Sequence, residues 1–523
     1  MDRREMLRSL ASGEFDLIAI GGGASGLGVA VDAQTRGYRT LLLEQDDFAK
    51  GTSSRSTKLV HGGVRYLQQG NIGLVLEALR ERGLLCLNAP HLVHPLAFLV
   101  PRYRWWEGPF YGVGLKVYDV LAQSLNLGPS RLLDYDETVQ RIPNLQKDQL
   151  LGGVVYHDAQ FDDARLAICL AQTAADHGAT VLNYVRVTGL VKEDGLVRGV
   201  RARDVETGDE VEVRARVVVN ATGIFADAIR RMDEATAESV VAPSQGVHLV
   251  LPSSFLACDT AIMVPKTDDG RVLFVIPWHD RALVGTTDVE MKAPELEPRP
   301  RRDEIDFILR NAAYYMERDP RPHDILSVFA GQRPLVRMGG TLESKKISRE
   351  HVVEISRTGL VSLMGGKWTT YRKMAEDAVD DAVTVGGLSV RKCVTEDLRL
   401  HGWLAPSDPA LPTEGWMRMY GSDAARVGAF LDSHPAHRER LHPRLPYLCG
   451  QLRWAVRHEL ARSLEDLLSR RTRSLVLDAR AAIEAAPRAA AILAEELGRD
   501  ATFAKAQLDA FVELAGAYLP PVE

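Results

Sequence analysis

Short apolar runs alternate with helical segments over the first 390 residues of this chain. The first three elements are an apolar run at residues 17–20, a helical segment at 27–36 and a second apolar run at 40–43. Apolar runs that do not alternate with polar residues are typical of parallel strands buried on both faces. The pattern therefore predicts an α/β fold that begins with a strand–helix–strand unit.

Three glycines and one acid are placed around this unit. Gly21, Gly23 and Gly26 follow the first run in G-x-G-x-x-G spacing, and Glu44 ends the second run. Such glycines allow a tight turn, close approach of the backbone to a pyrophosphate, and close packing of helix on strand. The acid accepts hydrogen bonds from ribose hydroxyls. The order of these parts favours a dinucleotide-binding unit over an ordinary glycine-rich turn.

The pattern continues with further elements. Residues 1–12 are interpreted as a charged lead-in, and residues 291–304 as a loop. Helices are predicted at 72–88, 162–177, 303–318 and from 371 onward. Strands are predicted at 180–187, 190–204, 210–219, 248–251, 272–276, 282–284 and 360–364.

Two later strand ends carry a second and a third nucleotide signal. One apolar strand breaks on Ala221-Thr222-Gly223, and another meets Gly365 and Gly366 before a helix. A strand–Gly-Gly–helix turn aims backbone N–H groups at an anion, such as the edge of a reduced flavin. No second complete G-x-G-x-x-G unit is present for a nicotinamide nucleotide. The wide spread of these segments favours FAD, bound in an extended form.

The composition changes after about residue 390, where alanine, leucine, arginine and glutamate dominate. Helices are predicted there at 423–432, 450–468, 478–497 and 501–516. The predicted fold class is a Rossmann-type α/β FAD-binding domain with an interleaved mixed-sheet substrate domain and a C-terminal all-α domain. The expected boundaries are 13–390, with substrate parts at about 90–150 and 245–325, and 391–523.

Composition and charge exclude several other classes of protein. The 523 residues are 46% hydrophobic and carry a net charge of −6, so no nucleic-acid footprint is indicated. The five cysteines are scattered without metal-like spacing, and no apolar run is long enough to cross a bilayer. These features predict a cytoplasmic protein without a metal.

An aromatic and basic segment at residues 101–126 has two interpretations. It contains Trp105 and Trp106 among cations, a mixture used for interfacial membrane attachment. The alternative is an aromatic core beneath a substrate cap. The first interpretation would place the protein peripherally on the cytoplasmic face of the inner membrane.

Seven motifs together resemble the FAD-dependent glycerol-3-phosphate dehydrogenases, in the flavoprotein superfamily typified by D-amino-acid oxidase and glycine oxidase. The motifs are GGGASGLG with Glu44, TSSRSTKLVHGGVRYL (52–67), YHDAQFDDARL (156–166), VVNATG (218–223), FVIPWHDRALVGTTD (274–288), GQRPLV (331–336) and MGGKWTTYRK (364–373). The resemblance covers nearly the whole chain. It implies oxidation of sn-glycerol 3-phosphate to dihydroxyacetone phosphate, with electrons passed from FAD to a quinone or to oxygen.

The resemblance also implies which residues form the site. Arg55 and Arg333 would hold the phosphate and glycerol end of the substrate, since arginine matches phosphate oxygens in bidentate fashion. Lys367 would lie beside the flavin, and His248 would take the hydroxyl proton because its ordinary pKa is near working pH. The expected cofactor contacts are Gly21, Gly23, Ala24, Ser25, Gly26, Glu44, Thr52, Ser53, Ser54, His61, Gly62, Gly63, Val187, Ala221, Thr222, Gly223, Gly365, Gly366, Lys367 and Thr369.

One departure from the family and two alternatives remain. The family usually shows Lys-Gly-Ser before the histidine, whereas this chain has Gln245-Gly246-Val247, which puts the role of His248 in question. A related FAD-dependent amine or amino-acid oxidase is one alternative, and a non-catalytic FAD-binding redox sensor is the other. The sequence does not decide the electron acceptor or whether the protein is a homodimer.

Overall fold

The computed structural model describes residues 1–64, 67, 70–337, 351–412 and 415–520. The strands in these residues are β1 Phe15–Ile20, β2 Thr40–Leu43, β3 Leu59–Val60, β4 Val93–Arg102, β5 Arg131–Leu133, β6 Gly152–Phe161, β7 Thr180–Leu182, β8 Val185–Glu193, β9 Leu196–Asp204, β10 Glu210–Asn220, β11 Val241–Pro252, β12 Thr260–Val264, β13 Leu273–Trp278, β14 Arg281–Gly285, β15 Val289–Glu290, β16 Ser327–Val336, β17 His351–Ile355 and β18 Val361–Gly365.

The helices lie mostly between the strands of the first half and in sequence order at the C-terminal end. They are α1 Arg3–Ser12, α2 Ala24–Thr35, α3 Ile72–Asn88, α4 Glu107–Ala122, α5 Tyr135–Arg141, α6 Asp163–Asp176, α7 Ala226–Asp233, α8 Arg302–Ala313, α9 Tyr371–Val385, α10 Ala424–Asp432, α11 Cys449–His458, α12 Ser474–Leu477, α13 Ala479–Leu497 and α14 Ala501–Gly516.

The first sheet has the order β17-β18-β10-β1-β2-β7, and β8 and β9 extend from β10 as an antiparallel pair. Strands β18, β10, β1, β2 and β7 are parallel to one another. Their side chains are buried on both faces, because helices α2, α6 and α9 pack on one face while helix α1 and strands β8 and β9 cover the other. The carboxyl ends of these strands therefore meet at one edge, as the sequence predicts for a nucleotide site.

The second sheet is largely antiparallel, in the order β15-β11-β14-β13-β12-β4-β6-β3. Its longest pairings join β4 to β6 and β11 to β16. Strand β16 carries the GQRPLV motif and β11 carries His248, so the register aligns His248 with Phe329. This sheet corresponds to the predicted mixed-sheet substrate domain.

The C-terminal helices share one hydrophobic core with the second sheet. Trp278 and Phe329 of the sheet belong to the same buried cluster as Leu467, Leu475 and Tyr518. Buried ion pairs add a second connection, because Arg470 and Arg471 both contact Asp47 in the loop after β2. The C-terminal helical part thus packs against the loop that follows the first nucleotide unit and supports it.

Helix α4 within the aromatic and basic segment is amphipathic. Leu115, Tyr118 and Ala122 are buried on one side of the helix. The opposite side exposes apolar residues spaced three and four apart, namely Trp106, Phe110, Val113, Val117 and Val120. The buried side fits the interpretation as aromatic core, and membrane attachment by the exposed side stays a prediction. Across the described chain, helix length and hydropathy leave no candidate for a bilayer-spanning segment.

Two predicted strands are wrong, because residues with left-handed backbone conformation interrupt each of them. The segment 180–187 is split at Tyr184, which has a φ of 56°, so that β7 ends before β8 begins. The segment 190–204 is a hairpin whose turn residues Asp194 and Gly195 have φ values of 51° and 78°. Asp-Gly is a strong two-residue hairpin signal, and the apolar pattern alone hides it.

Two helical predictions and the predicted lead-in also needed correction. Within the lead-in, Arg3–Ser12 form helix α1, capped by the Asp2 carboxylate, which accepts hydrogen bonds from two backbone N–H groups. The segment 303–318 is helical only as far as Ala313. The segment 450–468 stops at His458, because Leu460 has a left-handed φ of 55°, and it resumes as a π-helical turn, Asp466–Arg471. The helix predicted at 72–88 is confirmed by α3.

Candidate active site at the carboxyl edge of the first sheet

A cavity of about 610 Å³ lies at the carboxyl edge of the first sheet and extends to the face of the second. Four parallel strands deliver their last residues to it. These residues are Ile20 of β1, Leu43 of β2, Ala221 directly after β10 and Gly365 of β18. Residues far apart in the chain thus meet because parallel strands end at the same edge.

The glycines of the first turn form a tight backbone cradle. Gly21 has a φ of 112°, and a Cβ atom there would lie 2.7 Å from the carbonyl oxygen of Ala221. A Cβ at Gly26 would lie 1.9 Å from the carbonyl oxygen of Gly21. Helix α2 begins directly after Gly23, which has no side chain to cap it, and its Ala24 N donates to Ser53 Oγ at 2.9 Å. Gly23, Ala24 and Ser25 at the positive end of the helix line the cavity, where an anion is favoured. This cradle fits a pyrophosphate.

Glu44 lies at the neighbouring strand end and is held by backbone groups. Its two carboxylate oxygens accept hydrogen bonds from Gly22 N at 2.6 Å and Asp46 N at 2.8 Å. Burial raises the pKa of the Glu44 carboxyl to about 7, although these hydrogen bonds oppose the shift. The carboxylate lines the cavity in the position expected for a ribose contact.

Most of the predicted site residues line this cavity. They are Gly21, Gly23, Ala24, Ser25, Glu44, Thr52, Ser53, Arg55, His61, Val187, Ala221, Thr222, Gly223, His248, Arg333, Gly365, Gly366, Lys367 and Thr369. The site thus gathers segments between residues 21 and 369 of the chain. Of the motif at 52–67, residues 65 and 66 lie outside the described residues.

Four predicted cofactor contacts lie behind the cavity wall instead. Gly26 packs α2 against the first turn, and the Ser54 carbonyl accepts hydrogen bonds from Lys58 and Arg473. Gly62 donates its N–H to Asp158, while Gly63 has a φ of 75° in the turn after β3. The structure gives these residues a part in shaping the wall.

Two arginines of the cavity are engaged by carboxylates. Arg55 Nη2 lies 2.6 Å from an oxygen of Glu297, and most of the Arg55 side chain is buried. Arg333 Nη1 lies 3.2 Å from Asp288, and its Nη2 donates to the Thr287 carbonyl oxygen. Both arginines keep their charge in this setting and are oriented by their partners.

The His248 ring is fixed between a hydroxyl and an aromatic ring. Its Nε2 lies 2.9 Å from Thr57 Oγ1, and its plane stacks on Phe329 with ring centroids 4.9 Å apart. No described residue hydrogen-bonds its Nδ1, although this atom is buried. This nitrogen is therefore an unsatisfied polar group of the cavity wall.

The premise that His248 titrates near working pH is wrong. Burial, followed by the charges of Lys58 and Arg333, lowers the pKa of His248 well below its ordinary value of 6.5. The imidazole is therefore neutral at pH 7 and can accept a proton without first losing one. Its ability to act rests on geometry and on that neutral state.

The two residues that depart from the family pattern, Gln245 and Val247, point away from the site. Gln245 and Val247 lie on the opposite face of β11 from His248, because successive strand residues alternate. The Gln245 side chain donates to Glu304 at 2.7 Å, and Val247 packs in a separate core cluster. The missing lysine and hydroxyl thus leave the surroundings of His248 unchanged.

The loop between β2 and β3 is held by a buried ionic cluster. Lys58 Nζ donates to Asp163 at 2.6 Å and to the Ser54 carbonyl oxygen at 2.8 Å. Arg473 from the C-terminal helical part donates to the same carbonyl oxygen and the same carboxylate. Burial lowers the pKa of Lys58 to about 8, against the attraction of Asp163. The cluster fixes the loop that presents Arg55 and Thr57.

Sequence reasoning missed three residues near the reacting end. Thr57 lies in the hydroxyl-rich loop, two residues after Arg55, and this position is a sequence signal for a site residue. Glu297 lies in a proline-rich loop. Tyr518 lies near the C-terminus and interacts electrostatically with Arg55 and Glu297. The sequence carries no local signal for these two.

The site defines an FAD-dependent oxidoreductase built on two sheets. Its features are the glycine cradle, the buried acid Glu44 at the end of the second strand and the cation-lined cavity wall. Residues 16–372 match the FAD-dependent oxidoreductase family, and residues 356–503 match the C-terminal domain of alpha-glycerophosphate oxidase. A search of the described residues finds no cluster of ligands suited to a metal ion.

Comparison with individual proteins narrows the family. The chain is 41% identical to the human mitochondrial glycerol-3-phosphate dehydrogenase, covering 95% of this chain and 72% of that protein. It is also 41% identical to a probable mitochondrial glycerol-3-phosphate dehydrogenase of Caenorhabditis elegans, covering 97% and 74%. The glycerol-3-phosphate dehydrogenase of Bacillus halodurans, solved with FAD, superposes with a TM-score of 0.81 at 30% identity, covering 100% of this chain and 98% of that one.

The chain belongs to the FAD-dependent glycerol-3-phosphate dehydrogenase family. Its cofactor is FAD, and the predicted fold class is confirmed.

Proposed function

We propose that this protein oxidises sn-glycerol 3-phosphate to dihydroxyacetone phosphate and passes the electrons to a membrane quinone. The observation that carries the proposal is the convergence of Arg55, Arg333 and Lys367 on the cavity that holds the nucleotide cradle. A dianionic substrate requires such cations, and an amino-acid substrate would need one arginine for its single carboxylate. Family membership supports the same substrate.

Each residue has a distinct role in the proposed reaction. Arg55 and Arg333 bind the phosphate and orient the glycerol, since both guanidinium groups are held in place by carboxylates. Lys367 stabilises negative charge beside the flavin. When bound, FAD supplies the hydride acceptor for the oxidation at C2.

The proton of the C2 hydroxyl goes to the His248 imidazole. The ring is neutral because burial lowers its pKa, and its orientation is fixed by Thr57 and Phe329. A neutral, oriented base removes the proton as the hydride leaves, so charge does not accumulate on the alcohol oxygen. Of the two ring nitrogens, Nε2 contacts Thr57, and Nδ1 is buried without a hydrogen-bond partner among the described residues.

Anaerobic titration of the purified yellow protein tests the proposal. Glycerol 3-phosphate should bleach the flavin absorbance near ~450 nm, whereas a panel of amino acids should not. Bleaching by an amino acid would instead support the related oxidase, and bleaching by none of the compounds would support a redox sensor. Replacing Arg333 with lysine provides a matched variant, because it keeps the charge and removes the bidentate fork.

The electron acceptor is proposed to reach the protein at the membrane surface, through the exposed face of α4. Trp105 is 81% exposed and Val120 is 75% exposed, so the apolar stripe extends along the whole helix. Arg104 and Lys116 lie in the same segment and suit anionic lipid headgroups. A quinone reductase attached in this way takes its lipid-soluble acceptor directly from the bilayer.

The proposed domain division keeps residues 13–390 and 391–523 as separate sequence units. Their shared core and the ion pairs of Asp47 with Arg470 and Arg471 favour a single cooperative unfolding unit. We expect one transition in differential scanning calorimetry, and two resolved transitions would contradict this coupling.

A further inference from the structure

One carboxylate oxygen lies between two cations of the active-site cavity. Glu297 stands in the loop of residues 291–301 between β15 and α8. Its Oε1 lies 2.6 Å from Arg55 Nη2 and 2.6 Å from Lys50 Nζ. Both cations line the main cavity, and Glu297 itself lines a smaller cavity of about 240 Å³ on the other side of β16. The proposed phosphate-binding arginine is thus already engaged by an internal anion.

The two cations depend on Glu297 to different degrees. Lys50 has a second carboxylate, Glu465, at 2.5 Å, and this residue is fixed by Arg470 at 2.7 Å. Arg55 also donates to a backbone oxygen, the Ala330 carbonyl, at 3.5 Å. If Glu297 withdraws, Lys50 remains neutralised, whereas Arg55 exposes its charge to the cavity.

Glu297 has a route to water that its partners lack. Its side chain is 33% exposed, compared with 6% for Arg55 and 9% for Lys50. The loop is anchored on either side of it, since Glu295 N donates to Gln332 and the Arg299 carbonyl oxygen accepts from Gln245. Rotation of the Glu297 side chain therefore releases Arg55 without displacing the loop backbone.

We infer that Glu297 is a specificity-determining residue, whose carboxylate guards Arg55 and is displaced by a dianionic phosphate. The inference rests on the proposed function of Arg55 as a phosphate ligand. At equal distance and dielectric, a dianion attracts one guanidinium about twice as strongly as a monoanion does. A phosphate thus displaces the carboxylate, while chloride or a substrate with a single carboxylate exchanges one monoanion for another and gains little.

The Glu297 carboxylate raises the KM for glycerol 3-phosphate and weakens the binding of monoanions to Arg55. Glu297 acts through Arg55 and does not touch the reacting atoms, so it is a positioning residue. Its removal changes KM and leaves kcat close to that of the native enzyme.

The test uses Glu297→Gln and Glu297→Asp in the FAD-loaded full chain, with Glu290→Gln as the matched control. Glu290 ends β15, directly before the same loop, and pairs with Arg337 instead. We expect Glu297→Gln to lower KM for glycerol 3-phosphate about tenfold, with kcat within a factor of two. Competitive inhibition by chloride should strengthen in the same variant. Glu297→Asp should behave between the native enzyme and the glutamine variant, and Glu290→Gln should match the native enzyme.

An unchanged or raised KM in Glu297→Gln, with normal FAD content, would overturn the inference. A second measurement is independent of turnover. Inorganic phosphate is titrated into the oxidised proteins, and the Kd is read from the perturbation of the flavin spectrum. Tighter phosphate binding by Glu297→Gln supports the guard even if native protein is not reduced by glycerol 3-phosphate, an outcome that would count against the proposed function alone. Equal phosphate affinity in both proteins counts against the guard alone.

Discussion

Thr57 Oγ1 lies 2.9 Å from Nε2 of His248, and this contact joins a loop that follows the first sheet to a strand of the second. Thr57 stands in the loop after β2 of the first sheet, while His248 is in β11 of the second. Their hydrogen bond joins the nucleotide side of the cavity to the substrate side. Nδ1 of the same ring is buried without a hydrogen-bond partner among the described residues.

Replacing His248 with alanine tests its role as the base. If His248 takes the C2 hydroxyl proton, the rate of flavin reduction by glycerol 3-phosphate should fall by roughly 10²-fold or more. Because burial lowers the pKa of His248, the native rate should show no inflection from this residue between pH 6 and 8. Stopped-flow measurements across this range check both statements. A near-normal reduction rate in the variant would rule out the role, and Thr57→Val should cause a smaller loss.

Replacing Gly26 with alanine should abolish FAD binding. The new Cβ would lie 1.9 Å from the Gly21 carbonyl oxygen, so the turn of the cradle cannot keep its shape. The flavin-to-protein absorbance ratio of the purified variant measures the loss. Gly112→Ala is the control, since no described atom lies within 4 Å of a Cβ at that helical position. This control should retain FAD and gain about 1 kcal/mol of helix stability; full flavin content in Gly26→Ala would contradict the packing argument.

The stability of the protein should depend on pH through His401. Its Nδ1 lies 2.6 Å from Asp176 and its Nε2 lies 3.0 Å from Asp423, which joins α6 to the C-terminal helical part. Burial by itself lowers the pKa of His401, but the hydrogen bonds to the two carboxylates outweigh it and raise the pKa to about 9. Because the folded pKa exceeds the unfolded value, the stabilisation is complete below about pH 6.5 and is lost as pH rises through 9.

Thermal unfolding of native protein and His401→Gln checks this dependence. The native protein should be more stable by about 1–2 kcal/mol at pH 6, allowing for the exposure of Asp176, and the difference should vanish near pH 9.5. A stability difference that stays constant from pH 6 to pH 9.5 would show that His401 contributes packing alone.

Membrane attachment should depend on the exposed stripe of α4. The double change Trp105→Ala and Trp106→Ala, and separately Val113→Asp, should strongly reduce cosedimentation with anionic liposomes, because each removes apolar area from the interface. Val390→Asp is the control, since Val390 is exposed but lies far along the chain, after α9. Unchanged cosedimentation of the double variant would sink the proposed contact.

Local pattern was sufficient where a signal lies within a few neighbouring residues. The first nucleotide unit follows the predicted order, with β2 at the predicted bounds, and α3 also matches its prediction. The failures at Tyr184, Asp194 and His458 occurred where residues with left-handed backbone conformation interrupt an apolar pattern. Hydrophobic periodicity records which face is buried, and it does not record where the backbone turns.

The sequence by itself determined the nucleotide cradle, the α/β class and the family, because glycine spacing and strand ends are local and specific. Only the tertiary structure decided that Gln245 bonds to Glu304, that the imidazole is neutral and that Glu297 holds Arg55. These three properties depend on residues distant in sequence. Burial and Coulomb attraction act over a few ångströms in space, so they exist only once the two sheets and the C-terminal helices have packed together.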